Sequence, residues 1–143
     1  MRYIISLNHP VISWLMALSW LVLTVVVLLK PGYVTVRYDL TLSNFLSSFF
    51  SYTITRVDIS EAIGHVFLFS ILTVLWQRLL TLYFIRARAL LIVISAAVVL
   101  AIATEIAQYF INRGSLLLDL MANLLGISIA YIGFSYVAKL KLR

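Results

Sequence analysis

Seven polar side chains in a mostly apolar chain carry the chemistry this sequence can offer. Glu105, Gln108 and Asn112 fall at i, i+3 and i+7, and Asp119, Asn123 and Gly126 at i, i+4 and i+7. On a helix each set shares one face. Carboxylates with amides beside them are the residue types of acid–base work, in which one group takes a proton that another has oriented or given up. His65 adds an imidazole, able to serve as general base or ligand, and Glu61 stands one turn before it. Between the two polar faces, Asn112-Arg113-Gly114-Ser115 reads as a turn. Residues 105–126 therefore predict a helical hairpin with a polar stripe on each arm. In a membrane such stripes face protein or a water-filled cavity.

The elements that must position these groups are membrane spans. The chain has 143 residues, 64% of them hydrophobic and 11% charged, with a mean hydropathy of +1.09. That composition belongs to an integral membrane protein of one domain and excludes a soluble globular one. A net charge of +6 would suggest a nucleic-acid partner in a soluble protein. Here the eleven Lys and Arg residues sit mainly in the joints between apolar runs, so they read as topology determinants and not as a nucleic-acid surface. The absence of cysteine removes disulfides, thiolate metal sites and Cys nucleophiles.

The predicted fold is all-α and polytopic, with four transmembrane helices over about 11–29, 59–77, 89–111 and 120–138. Each run is long enough to cross a hydrocarbon core of about 30 Å at ~1.5 Å per residue. The first lacks a cleavage pattern and is followed by Lys30-Pro31-Gly32, so it reads as a span and not a signal peptide. The second closes at Gln77-Arg78. In residues 40–51, Leu42, Phe45, Leu46, Phe49 and Phe50 alternate with serines and Asn44 at helical spacing. This predicts a short amphipathic helix at the membrane interface between the first two spans.

Four spans leave both termini on one side. Arg2, Arg78, Arg86, Arg88, Lys139, Lys141 and Arg143 share that side, while Lys30, Arg37, Arg56 and Arg113 are mixed with Asp39, Asp58, Glu61 and Asp119 on the other. The positive-inside rule then places both termini in the cytoplasm. Glu105 lies ~25 Å along the third span from Arg88, and His65 and Asn123 lie ~6 Å inside the outer ends of theirs. Three helices thus bring polar groups to one depth near the outer face. Small residues on matching stripes, Ala97 and Ala101 below Glu105, and Ala122, Gly126 and Ala130 with Gly133 nearby, predict close helix approach beneath them.

The pattern E-x2-Q-x4-R-x5-D-x3-N-x2-G, realised as Glu105, Gln108, Arg113, Asp119, Asn123 and Gly126, resembles the VanZ-like family, over roughly residues 58–133. Its namesake is associated with resistance to the glycopeptide teicoplanin. Family members often carry D-K-x-x-H at the start of the second conserved span; here Glu61-Ala62-Ile63-Gly64-His65 keeps the histidine, has Glu for the acid and lacks the lysine. The resemblance implies a small bacterial multi-pass membrane protein with a cell-envelope role. It also lifts Asp119 to a partner of Glu105 in a paired-carboxylate site.

Each residue has a plainer explanation beside the chemical one. An ionised carboxylate at Glu105 costs ~3 kcal/mol at midbilayer on insertion scales, so it is paired, protonated or functional; an interhelical hydrogen bond would suffice. Asp119 near a helix N-terminus gains ~0.3–1 kcal/mol from the dipole, could cap it, and could bridge to Arg113. Glu61 three residues after Asp58 makes a capping pattern. Gln108 and Asn123 either orient the carboxylates or bind a polar head group, against simple interhelical amide bonds. Arg113 could hold a phosphate or carboxylate, or simply be solvated.

Two function classes follow. In an enzyme, acid–base hydrolysis or transfer on a membrane lipid or lipid-linked cell-wall intermediate would use Glu105, Asp119 and His65 as catalytic groups, with Arg113, Gln108, Asn123 and Glu61 binding the anionic amphiphile. No cofactor is predicted. A divalent metal on His65, Glu105 and Asp119 is the alternative, since carboxylates and one imidazole suit a hard or borderline ion, although no H-E-x-x-H motif is present. In the other class the chain is a non-catalytic scaffold or small transporter subunit that binds a glycolipid, lipopeptide or antibiotic head group. Four spans leave little room for a pathway, which a homodimer could supply.

Overall fold

The computed structural model describes residues 10–29, 56–110 and 117–140, with the side chains at 56–58, 109 and 137–140 left aside. Within them lie four helices: α1 (Pro10–Leu28), α2 (Arg56–Leu80), α3 (Arg86–Phe110) and α4 (Leu117–Leu140). The protein is all-α, and each helix is long and apolar enough to cross a membrane. Pro10 opens α1, where its missing N–H costs nothing and its fixed φ suits the first turn. The expected interfacial helix at 40–51 and the Asn112–Ser115 turn, with Arg113, lie outside the described residues.

The second and fourth spans run past their expected ends. Gln77 and Arg78 do not close α2; the helix continues to Leu80, and Gln77 is buried at 1% exposure. Where a loop over 78–88 was expected, a short turn joins α2 to α3. Phe84 N–H bonds the Leu80 carbonyl at 2.9 Å, Leu82 N–H the Leu79 carbonyl at 3.1 Å, and the Thr81 hydroxyl the Arg78 carbonyl at 2.7 Å. The reason is that arginine does not end a membrane helix. Its stem can lie along apolar surface while the head reaches the interface, and the orphan carbonyls of the last turn are satisfied locally.

Packing centres on α2. Its closest partner is α4, with α1, α3 and α4 arranged around it and α1 meeting α3 only sparsely. The core joins Leu28, Leu68, Phe69, Leu72, Ala97, Ala101 and Ile127. At Gly126 the α2 backbone presses in: a Cβ there would stand 2.5 Å from the Val66 carbonyl oxygen and 3.1 Å from the Ser70 nitrogen. The Ser70 hydroxyl donates to the Gly126 carbonyl at 3.0 Å across the same contact. Glycine is needed here because nothing larger lets the backbones meet. Ala122 and Ala130 are buried with it. Gly133 is not part of this seam, since it is exposed and a Cβ on it would touch nothing within 4 Å.

Among the described residues the outward faces of the helices are largely apolar. Leu15, Val22, Phe67, Leu91, Val99 and Ile132 are all exposed, as a helix that meets lipid on its outer face requires. Aromatic contacts tie α1 to the far half of α2, where the Trp14 and Trp76 rings lie edge to face at 5.9 Å. Nearer the middle, the Trp20 indole donates to the Leu68 carbonyl at 3.1 Å.

Candidate functional site

At one end of the bundle the N-terminal half of α2, the C-terminal part of α3 and the first turns of α4 come together. Helix polarity does this. The chain runs down α2, up α3 and down α4, so His65, Glu105, Asp119 and Asn123 meet at the same level. His65 is 2% exposed, Glu105 8%, Asp119 2% and Asn123 0%.

The four groups are linked in a fixed order. Asn123 Nδ2 donates to Glu105 Oε1 at 3.1 Å, and Asn123 Oδ1 lies 2.9 Å from His65 Nδ1. On its other side, His65 Nε2 faces Asp119 Oδ2 at 3.9 Å. Glu105 Oε1 is also 3.9 Å from Nδ1. The chemistry of the amide fixes the tautomer. With Glu105 ionised, Asn123 turns its NH2 to the carboxylate and its oxygen to the ring, and Nδ1 is then the nitrogen that carries the hydrogen. The relay is thus Nδ1–H to Asn123 and Asn123 N–H to Glu105. Nε2 is the ring atom left to exchange a proton, and it points at Asp119.

Electrostatics decides that this cluster is organised and not scattered. Two carboxylates in the membrane cost ~3 kcal/mol each on insertion scales if left alone. Each has the imidazole ring within 3.9 Å, and Glu105 also accepts the Asn123 amide hydrogen bond. Asp119 also sits in the first turn of α4, where the helix dipole adds ~0.3–1 kcal/mol. It does so while buried, not as a solvated cap.

The remaining sequence candidates part from this group. Gln108 does not turn to the carboxylates: its Nε2 donates to the Leu28 carbonyl at 3.1 Å. That carbonyl belongs to the last turn of α1, so Gln108 ties α3 to α1. Glu61 stands one turn from His65 toward the start of α2 and is partly exposed. Thr104, buried beside Glu105, bonds back to the Ala101 carbonyl at 2.9 Å.

Among the described residues no three His, Asp or Glu side chains gather as a metal ion would require. Geometry gives the reason. The two carboxylates address opposite nitrogens of one ring, so an ion at Nε2 would meet Asp119 and an ion at Nδ1 would displace Asn123.

Thr73 and Gln77, both buried, are polar positions that sequence reading passed over. Their side-chain polar atoms have no hydrogen-bond partner among the described residues. The signal was available in their i, i+4 spacing on one face of α2, but Gln77 beside Arg78 reads as a helix end. No protein-family model, curated protein or solved structure matches the chain.

Proposed function

We infer that this is a VanZ-like integral membrane protein of the bacterial cytoplasmic membrane, with both termini in the cytoplasm and the His65–Asn123–Glu105–Asp119 cluster near the outer face. Its role is in the cell envelope, including teicoplanin-type glycopeptide resistance, through binding or modifying an anionic or lipid-linked amphiphile. The observation that carries this reading is the ordered relay itself. An Asn held between a carboxylate and Nδ1 leaves Nε2 aimed at a second carboxylate, which is an arrangement for accepting and handing on a proton. The distribution of Lys and Arg supports the orientation.

The depth of burial favours a second reading. Four polar groups at 8% exposure or less, joining α2, α3 and α4, would also serve as a polar lock for a non-catalytic scaffold. The deciding experiment is teicoplanin susceptibility of a sensitive Gram-positive host expressing wild type, Glu105→Gln or Asp119→Asn, with membrane levels matched by blot. Protection by wild type and none by the matched variants supports proton chemistry at the cluster. Equal protection by all three supports the scaffold. No protection by any of them overturns the resistance role.

A further inference from the structure

At the end of the bundle away from the polar cluster, α1, α2 and α3 leave an apolar groove of about 420 Å3. Its floor is Leu72, Thr73, Trp76 and Leu80 of α2, one wall is Leu21 of α1, and the other is the α3 run from Ile92 to Leu100. Along the helices it extends ~12 Å. Its volume lies in the ~300–1,000 Å3 range of small-molecule sites. The groove exists because α1 and α3 touch so little.

Charge marks one mouth of this groove. Ile92 and Ala96 form its outer lip, and Arg88 continues their i, i+4 stripe one turn toward the α2–α3 turn. Arg88 is exposed and has no acidic partner among the described residues; its guanidinium lies 5.7 Å from the Phe84 ring centroid. The neighbouring Arg86 is already committed to α4, through the Phe134 carbonyl and the Phe134 ring. Residues 78–88 contain no acid at all. A basic group is therefore available above an apolar slot, in the leaflet opposite the polar cluster.

We propose that this groove binds one anionic phospholipid, with an acyl chain lying between α1 and α3 against Trp76 and its phosphate at Arg88. Apolar walls match the chain, and a guanidinium matches a phosphate. The site is separate from the His65 cluster and does not depend on its function.

Native mass spectrometry of the full chain in detergent, with equimolar phosphatidylglycerol and phosphatidylcholine of identical acyl chains, tests it. Wild type should retain one phosphatidylglycerol, with a preference of about fivefold, the size of one basic side chain near a charged lipid surface. Ala96→Phe should abolish retention by filling the groove from its exposed lip. Val99→Phe, at 66% exposure on the same helix but outside the groove, should retain the lipid as wild type does. Arg88→Gln should still hold a lipid but lose the preference for phosphatidylglycerol. Retention unaffected by Ala96→Phe, equal retention of both lipids by wild type, or no retained lipid would each overturn the proposal, the last pointing to a groove covered by the chain itself or by a second copy.

Discussion

Asn123 Oδ1 stands 2.9 Å from His65 Nδ1, and this one contact orders the cluster. It joins α4 to α2, fixes which ring nitrogen carries hydrogen, and, through the other end of the same amide, positions Glu105 on α3. Asn123 touches two titratable groups while being neither, and it is the most deeply buried of the four.

Replacing Asn123 by Asp should therefore be severe. The change puts a second carboxylate where the amide now donates to Glu105 at 3.1 Å, and breaking a buried polar pair in this way costs ~3–5 kcal/mol. A large fall in thermal unfolding temperature in micelles is expected. Adding Glu105→Gln restores one amide facing one acid. The double variant should recover part of the loss, with a coupling above ~1 kcal/mol in the cycle; strict additivity would show that the two side chains do not interact.

His65→Asn separates holding from proton transfer. The Asn Nδ2 can donate to Asn123 Oδ1 in place of Nδ1, but nothing replaces Nε2 opposite Asp119. Thermal stability should stay within about 1 kcal/mol of wild type, the worth of one hydrogen bond. Protection against teicoplanin should be lost at matched membrane level. Protection by this variant would remove Nε2 from the mechanism.

Gln108 predicts the opposite split. Gln108→Leu deletes the hydrogen bond to the Leu28 carbonyl, worth ~0.5–1.5 kcal/mol. Stability should fall, while protection at matched level stays as in wild type. Loss of protection in correctly accumulated protein would return Gln108 to the binding role its spacing suggested.

The two glycines of α4 should behave differently. Gly126→Ala places a Cβ 2.5 Å from the Val66 carbonyl oxygen, and such overpacking costs ~1–3 kcal/mol. Gly133→Ala meets nothing within 4 Å and should be neutral or gain up to ~1 kcal/mol in helix propensity. Unfolding curves of the pair in one detergent would check both signs together.

Much of this was legible in the residues. Four apolar runs set four helices, and the second extends beyond Gln77 and Arg78, which look like a stop but are carried inside α2. Counting along each run at ~1.5 Å per residue puts Glu105, His65 and Asn123 at similar depth, with Asp119 one turn further out, and the structure brings those four together. Depth is a property of the sequence alone, since it needs only the helix ends and a fixed rise.

Packing angle is not. The polar stripes say which faces of α3 and α4 turn inward, but not the angle at which each helix meets its neighbours. Only the fit of one surface on another decided that Gly126 and not Gly133 meets α2. The same fit turned Gln108 away from the carboxylates to the end of α1, although its spacing from Glu105 put both on one helical face. Within the membrane, where lipid is as apolar as leucine, close packing and interhelical hydrogen bonds set that angle, and they exist only once the helices have met.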